Sequence, residues 1–397
     1  MPRPEFAIIG TAEVPCGHYP QRNEFEIAYT VARDAVRDAG ISMKQIGGVV
    51  TAAHIMGSDY NTEMFFGRLP EAIGATNCRA VATTISGGAS SWSTRKTAEG
   101  MLGEGGVDYV LVLHAQRFSQ FTPNQQATFF AVAGADAEWE VPYGMTYNAL
   151  SAMVTQGYMN ATGTTIEQVA AMCVANRRWA NLQPNAMFRD KPVTVEEVLA
   201  SRVVAWPLTA LMCNVLADGG SAFVMTRAEL AQASQKPVYF AGEASDYSHR
   251  SIVHAKWGDP GRMVDFARPV AQQALERAGV GVADIDLFEI YGSYPGLQLI
   301  LMDAIGIGSA GTTAGELVAS GATSPGGKYP VTTNGEALGF GHTGTGVGFS
   351  VLVETVRQLQ GKAGRAQVPN PRFAVENCGG GAFMDLHFSV LTNQYLS

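Results

Sequence analysis

The sequence predicts an α/β protein made of two equivalent, layered halves, with a mainly helical insertion in the first half. Three observations lead to this fold class. Residues 35–52 and 274–291 repeat one pattern at a constant offset of 239 positions. In both copies an amphipathic helical segment is followed by an apolar run of strand length. Alternation of helices and strands is typical of folds in which helices cover the faces of a sheet.

The composition is that of a well-buried globular chain. Of its 397 residues, 46% are hydrophobic and only 16% are charged, which is unlike a disordered protein. This length allows two core-sized units. The formal net charge is −8 and no run of Lys or Arg occurs, so nucleic-acid binding is not expected. No stretch approaches the roughly 18 uninterrupted apolar residues of a membrane span.

The cysteines give no sign of a disulfide framework or a metal site. They are odd in number and scattered, without Cys-x-x-Cys spacing. They are Cys16, Cys78, Cys173, Cys213 and Cys378. The apolar segment 6–10 is too short for a signal peptide and predicts a first strand. We therefore expect a reduced, cytoplasmic protein without a bound metal.

The repeated helix has clear boundaries at its carboxyl end. Its first copy carries small residues on one face, at Ala28, Ala32, Ala35 and Ala39. Each copy ends at a glycine, Gly40 or Gly279, and glycine adopts at little cost the left-handed conformation that follows a helix. In the second copy Pro269 suits a first helical position, where no N–H is needed. We expect that helix to begin there.

A glycine-containing turn at residues 84–91 is the strongest candidate for a site in the first half. An apolar run (residues 80–82) precedes it, and a helical segment (residues 91–102) follows. A strand that turns sharply into a helix directs unpaired N–H groups at one point and favours negative charge there. Enzymes often place a Ser or Cys nucleophile at such a turn. Here its tip is Gly88.

The two halves also end alike, which sets the expected division of the chain. Residues 218–225 resemble residues 379–386, each beginning in glycines and continuing as a strand. The segment 116–213 has no counterpart in the second half, and Thr residues followed three positions later by Gln or Glu predict capped helices in it. We expect a first half of residues 1–115 with 214–245, a cap of residues 116–213, and a second half of residues 246–397.

Several motifs resemble those of one known family. The most specific stretches lie within residues 175–208 and 218–222. Residues 330–335 resemble the family's Pro-Val-Asn-Thr-x-Gly-Gly segment, which leads into a Gly-His motif at His342, and Cys378 opens a Cys-x-Gly-Gly motif. Over nearly its whole length the chain resembles the thiolase superfamily, in its sterol-carrier-protein-X or lipid-transfer branch. The resemblance implies the thiolase-like duplicated α/β/α/β/α fold and at least a homodimer.

The resemblance also shows what this chain lacks. The acylated cysteine of the family falls on Gly88, or in a looser alignment on Ile85 or Ser86, and none of these is cysteine. The His-Asp-Cys-Phe box of the family falls on residues 291–294, so that its histidine is replaced by Tyr291. The chain is therefore not expected to work as a thiolase.

Eight residues are candidates for the site that remains. A tyrosine acts as acid or base when its surroundings shift its pKa from about 10, and a histidine in a glycine-rich loop is a common proton donor or acceptor. The catalytic candidates are Tyr291, His342 and Cys378. The substrate-binding candidates are Gly88, Ser86, His54, Tyr294 and Gly380.

Retro-aldol cleavage needs no acyl-enzyme and is therefore the first hypothesis. Some members of the lipid-transfer branch are such aldolases, so the resemblance implies a 3-hydroxyacyl-CoA with a steroid- or terpenoid-like side chain as substrate, and a ketone and acetyl- or propionyl-CoA as products. Tyr291 would take the 3-hydroxyl proton, His342 would donate to the thioester oxygen, and Cys378 would protonate the enolate carbon. Gly88 would leave room for the branched β-carbon.

Two other functions stay open. An acyltransferase or Claisen-type subunit would need a nucleophile from Ser86 or from a partner, and a non-catalytic subunit would only bind acyl-CoA or lipid. Aldolases of the lipid-transfer branch work with a small OB-fold/zinc-ribbon protein, so the resemblance to them implies such a partner in a heterotetramer. It implies coenzyme A thioester as substrate and no covalently bound cofactor.

Overall fold

The computed structural model describes residues 4–52, 62–132, 134–247, 262–308, 310–381 and 383–395. The strands are β1 (Phe6–Glu13), β2 (Gly48–Ala52), β3 (Ala80–Thr84), β4 (Tyr109–Gln116), β5 (Val203–Ala205), β6 (Leu208–Thr209), β7 (Gly219–Arg227), β8 (Val238–Tyr247), β9 (Leu287–Glu289), β10 (Phe373–Gly380) and β11 (Asp385–Thr392). The helices are α1 (Glu24–Asp38), α2 (Thr62–Ile73), α3 (Ser90–Gly103), α4 (Pro123–Ala131), α5 (Tyr147–Thr162), α6 (Ile166–Ala180), α7 (Val195–Ala200), α8 (Met263–Ala278), α9 (Pro295–Ile305), α10 (Ala314–Ala319), α11 (Glu336–Gly339) and α12 (Val347–Gln360).

Nine strands form one mixed sheet in the order β3-β2-β4-β7-β1-β8-β11-β10-β9. In the first half β2 is parallel to β3 and β4, and β7 is antiparallel to β4 and β1. The second half repeats this, since β9 is parallel to β10 and β11 is antiparallel to β10 and β8. The halves join where Ala7 and Ile8 pair with Tyr239 and Val238. The duplication expected from the sequence is thus present in the strand pairing.

The two halves of the sheet enclose a shared layer of helices. One hydrophobic cluster contains residues from α3 and α12 together with strand residues of both halves, namely Leu102, Val356, Ile8, Val112, Leu287 and Leu391. The opposite faces pack against α1 in the first half and α8 in the second. Nearly all of α12 is buried, as expected for a helix between two sheet layers. The predicted layered α/β/α/β/α architecture is confirmed.

The ends of the repeated helices agree only partly with the sequence. Gly40 and Gly279 follow α1 and α8 with φ of 69° and 67°, the left-handed conformation expected there. The predicted start of α8 was wrong, because this helix begins at Met263 and contains Pro269 in its interior. Arg262 precedes the helix without a side-chain cap, so the sequence carried no start signal. The proline costs the helix one backbone hydrogen bond.

The segment between β4 and β7 supplies α4 to α7. Capping boxes start three of these helices, at Thr122, Thr165 and Thr194. Helix α6 is anchored on the second half, since Asn176 Nδ2 donates to Gln298 Oε1 (3.0 Å) and Trp179 Nε1 donates to the Thr323 carbonyl (2.8 Å). None of the helices in the described ranges is long and apolar enough to cross a membrane.

Candidate active site

A cavity of about 390 Å³ lies where the turns after β3, β9 and β10 meet α4 and the start of α5. Both halves of the chain and the segment between β4 and β7 contribute to its wall. Five of the eight candidate residues line it, namely Gly88, Tyr291, Tyr294, His342 and Gly380. No charged side chain is among the described residues of the wall. Such a cavity suits an uncharged ligand group.

The turn after β3 approaches the second half so closely that no side chain fits at its tip. The chain passes from β3 through a single 3-10 turn, residues 87–89, into α3. A Cβ at Gly88 would collide with the carbonyl oxygen of Gly379 and would lie 2.5 Å from Cε1 of Tyr291. The space expected to be open for the substrate's β-carbon is therefore occupied by the Tyr291 ring.

Tyr291 is held at the end of β9 by an amide on β10. Its N–H donates to Oδ1 of Asn377 (3.0 Å), and Nδ2 of Asn377 donates to the Tyr291 carbonyl (3.4 Å). The phenol oxygen lies 3.4 Å from Nε2 of His342. Burial raises the pKa of Tyr291, chiefly because the phenolate loses its hydration. The free site therefore holds a neutral phenol.

His342 presents an N–H group to the cavity. Its Nδ1 accepts the N–H of Gly344 (3.1 Å), so in the neutral imidazole the proton is on Nε2, facing Tyr291. Burial lowers the pKa of His342 to about 4, which keeps the ring neutral near pH 7. Two hydrogen bonds of 2.9 Å fix its backbone: the N–H of His342 donates to the Val215 carbonyl, and the carbonyl of His342 accepts the Ala217 N–H.

Tyr294 belongs to an aromatic wall opposite the glycine turn. Its hydroxyl donates to Oδ1 of Asn148 (2.5 Å), and its ring lies 5.8 Å from the ring of Tyr147. Phe130 of α4 meets the His342 ring edge-on, with 5.9 Å between centroids. Phe130, Tyr147 and Asn148 were not among the candidates predicted from the sequence. The one signal that pointed to them was the unmatched segment 116–213, which predicted a cap but no particular residue.

Cys378 is placed close to the site but behind its wall. The residue is 1% exposed and does not line the cavity. A Cβ at Gly348 would lie 3.4 Å from the Cβ of Cys378 and 2.7 Å from Oγ of Ser91, so these residues pack together beneath the turn. Burial, followed by the charge of Glu376, raises the pKa of the thiol. Cys378 is thus a protonated thiol outside the cavity.

The remaining candidates do not reach the cavity or lie outside the described structure. Ser86 is not part of the wall, and its N–H donates to Oγ of Ser90 (3.1 Å). Ile85, the other alternative for the lost nucleophile, is 54% exposed to solvent. His54 lies outside the described residues. Within the described ranges, no three His, Cys, Asp or Glu side chains converge as a metal site.

The arrangement as a whole suits the handling of an enolate. Two neutral donors, the Nε2–H of His342 and the hydroxyl of Tyr291, face one space. A thioester oxygen placed there would be polarised, and negative charge that develops on it would be stabilised in a poorly hydrated site. The described wall holds no cysteine or carboxylate side chain, and its aliphatic hydroxyl groups are those of Thr146 and Ser293.

Comparison with known proteins agrees with the fold. Residues 245–393 match the family model "Thiolase C-terminal domain-like". The chain is 29% identical to 17-hydroxy-3-oxo-4-pregnene-20-carboxyl-CoA lyase of Mycobacterium tuberculosis, covering 89% of this chain and 91% of the lyase. It is 32% identical to benzoylsuccinyl-CoA thiolase subunit BbsB of Thauera aromatica, covering 64% and 65% of the two chains. The solved Ltp2-ChsH2(DUF35) aldolase superposes with a TM-score of 0.80 at 22% identity, covering 98% of this chain and 97% of that one.

These similarities extend over both halves and the segment between them. They agree with the duplicated strand order and with the helix layer between the two halves of the sheet. Together the comparisons support the thiolase superfamily as the family of this chain, and its similarity to sterol carrier protein 2, 27% identical over 58% of this chain, supports that branch.

Proposed function

We propose that this protein is a lyase that cleaves a 3-hydroxyacyl-CoA by a retro-aldol reaction. The products would be a ketone and acetyl- or propionyl-CoA. One observation carries the proposal: the ring of Tyr291 stands against Gly88, one of the three positions on which the resemblance places the family's acylated cysteine, and its hydroxyl lies 3.4 Å from His342. The site thereby loses its nucleophile and keeps two donors. The names of two relatives, a carboxyl-CoA lyase and an aldolase, support the same reaction type.

The first role in this reaction is that of His342. Its Nε2–H would donate to the thioester oxygen of the bound substrate. As the bond between C2 and C3 breaks, the electron pair moves onto C2 and the thioester oxygen, which becomes the oxygen of an enolate. A neutral donor fixed by Gly344 would stabilise that charge without having to reorient.

The second role is that of Tyr291, as a proton relay. Burial raises the pKa of Tyr291, so its phenol is neutral. A neutral phenol is a poor base unless it passes on its own proton as it accepts another. In a six-membered arrangement the phenol would donate its proton to C2 while its oxygen takes the proton of the 3-hydroxyl. One residue would then supply both proton transfers. This route replaces the acid role expected of Cys378, whose thiol lies outside the cavity.

The wall of the cavity indicates the class of acyl group. Phe130, Tyr147 and Tyr294 form one side, and the described wall carries no charge. Aromatic surfaces favour a flat apolar group, so we place a steroid- or terpenoid-like ring system with a tertiary 3-hydroxyl carbon here. Since α4 and α5 supply this side, the cap of residues 116–213 would decide acyl specificity.

A partner protein is part of the proposal. The structural neighbour is named as an aldolase of Ltp2 with ChsH2(DUF35), and BbsB is named as a subunit. We expect this chain to form a homodimer that associates with a small OB-fold/zinc-ribbon protein. Coenzyme A would enter as the substrate thioester.

The test uses the purified protein, with and without a candidate partner, and a tertiary 3-hydroxyacyl-CoA. Mass spectrometry would follow the ketone and the shortened acyl-CoA. We expect Tyr291→Phe to lower kcat at least about 100-fold, as loss of a general acid or base does. Tyr239→Phe, which removes a phenol far from the cavity, should leave kcat unchanged. The proposal is wrong if the wild type with partner gives no product, or if Tyr291→Phe is as fast as the wild type.

Acyl transfer is the second candidate, because BbsB, named a thiolase subunit, is 32% identical to this chain. It would need a nucleophile from Ser86 or from the partner. Ser86 lies outside the described cavity wall, which favours the lyase. A covalent acyl adduct trapped from a labelled acyl-CoA would support acyl transfer, and binding without turnover or adduct would support a non-catalytic subunit.

A further inference from the structure

Glu336 is a buried carboxylate whose hydrogen bonds converge on the turn that carries Tyr291 and Tyr294. Its Oε1 accepts the N–H groups of Gly292 (3.3 Å) and Ser293 (2.8 Å). The residue is 1% exposed and does not line the cavity. The carboxylate therefore touches the backbone between the two tyrosines and no part of the space for substrate.

The turn itself is shaped so that it needs an acceptor at this point. Ser293 has a φ of 60°, and a Cβ at Gly292 would lie 2.7 Å from the backbone nitrogen of Gln298. When a residue in the left-handed conformation follows another turn residue, the successive backbone N–H groups point to one spot. Such an arrangement binds anions. With both groups buried, removal of the acceptor would leave two donors unsatisfied.

The other oxygen of Glu336 ties this turn to its surroundings. Oε2 accepts from Nε2 of Gln298 (2.8 Å) and from the N–H of Leu338 (3.3 Å). Gln298 in turn accepts from Nδ2 of Asn176 on α6 (3.0 Å). One carboxylate thus links the Tyr291 turn to α9, to α11 and, through Gln298, to α6.

The backbone conformation of Glu336 does not favour a glutamate at this position. Its φ is 48°, in the left-handed region that disfavours residues with a Cβ. Glycine would adopt this φ without strain, so the chain holds a strained glutamate where an unstrained residue would suffice for the fold. The side chain must offset that strain through its contacts.

We infer that Glu336 is a positioning residue, which fixes the Tyr291–Tyr294 turn and thereby the place of the Tyr291 hydroxyl opposite His342. Its catalytic consequence rests on the lyase function proposed above. The structural part does not, because the hydrogen bonds to Gly292 and Ser293 are made without substrate. A displacement of about 1 Å in a catalytic group can cost about 100-fold in rate.

The test compares Glu336→Gly, Glu336→Gln and Asp303→Asn. Glycine relieves the positive φ and removes the acceptor. Glutamine keeps one oxygen for the turn but sets its NH₂ against the donors of Gln298 and Leu338. Asp303 is the matched control, because it accepts from Tyr158 (2.6 Å) and from the N–H of Ala314 (2.8 Å) in the same half without touching the turn.

We expect hydrogen exchange at the amides of Gly292 and Ser293 to become at least about tenfold faster in Glu336→Gly. The kcat should fall about 100-fold with KM within about threefold of wild type, and Glu336→Gln should be intermediate. Asp303→Asn should change neither exchange at this turn nor kcat, whatever it does to the melting temperature.

The outcomes separate this inference from the proposed function. Absence of lyase activity in the wild type would refute the proposed function, and the exchange measurement would still decide the role of Glu336. The inference is overturned if exchange at Gly292 and Ser293 is unchanged in Glu336→Gly. It is equally overturned if, with an active wild type, Glu336→Gly keeps its kcat or loses no more than Asp303→Asn does.

Discussion

The contact between Gly88 and Tyr291 makes Gly88→Ala the sharpest test of the site. The added methyl carbon would lie 2.5 Å from Cε1 of Tyr291 and 3.0 Å from its hydroxyl oxygen, and closer still to the carbonyl oxygen of Gly379. Contacts between real Cβ atoms and such neighbours are longer than 3.0 Å. The ring and the β10 backbone must therefore both move.

Overpacking of this kind typically costs about 1–3 kcal/mol of unfolding free energy. Since displacement of a catalytic group by about 1 Å can cost about 100-fold in rate, we expect Gly88→Ala to lower kcat by at least that factor. Gly100→Ala is the matched control. A Cβ at Gly100, in α3, meets nothing within 4 Å, so this change should stabilise the helix by about 0.5–1 kcal/mol.

A double-mutant cycle with Tyr291→Ala would isolate the part of the Gly88→Ala loss in unfolding free energy that comes from the Tyr291 ring. If the ring is one of the two obstacles, Gly88→Ala should cost less in the Tyr291→Ala background, by about 0.5–3 kcal/mol. The remainder would belong to the Gly379 carbonyl. Urea unfolding measures the free energies, and the lyase assay measures kcat. The reasoning is refuted if Gly88→Ala unfolds like wild type, or if the two changes are additive within about 0.5 kcal/mol.

Four further outcomes are expected. Cys378→Ser should change kcat less than about fivefold; a loss of about 100-fold, typical of a missing general acid, would show that the thiol takes part. Burial raises the pKa of Glu336 to about 7, so a fall in kcat below pH 7 should be absent from Glu336→Gln. Burial lowers the pKa of His342 to about 4, so in Glu336→Gln kcat should stay constant from pH 7 to about pH 5, and a midpoint near the ordinary 6.5 would contradict this. For the same reason the unfolded chain protonates first, and the stability linked to His342 should be present above about pH 6.5 and lost as the pH falls towards 4, measured by urea unfolding against His342→Gln. Phe130→Ala should raise KM about tenfold for a cyclic acyl-CoA and little for a linear one, since it removes apolar contact with the ring; equal effects on both would contradict the specificity assigned to this wall.

The elements that the sequence predicted are those with local signals. The repeat at offset 239 carries helix, glycine and strand together, so the duplicated sheet could be anticipated. Thr165 and Thr194 start helices because their caps are built from neighbours along the chain. Phe130 and Tyr147 reach the cavity through the packing of α4 and α5 onto the second half, and no spacing along the chain encodes that contact.

Cys378 shows a second limit to predicting the site from the sequence. Side chains alternate along β10, so Cys378 and Asn377 point to opposite faces of the sheet. Asn377 is the residue that reaches Tyr291, with its Oδ1 3.0 Å from the Tyr291 nitrogen. A motif match identifies a cysteine at this strand end, yet neither Cys378 nor Asn377 lines the described cavity wall, so the motif does not bring the thiol into the cavity. The sequence holds no local feature that decides whether the thiol reaches it.

Gly88 and Tyr291 are packed so closely that each limits which side chain the other position can hold. With Tyr291 in place, any side chain at residue 88 meets its ring, and the Gly379 carbonyl blocks the same volume from the other side. A cysteine restored at Gly88 alone would therefore displace Tyr291 before it could act as a nucleophile. Acyl transfer through a nucleophile at residue 88 would require residue 88, residue 291 and the β10 backbone to change together. A side chain at residue 88 and the observed place of the Tyr291 ring therefore exclude each other, so the packing of this site couples the glycine to the phenol.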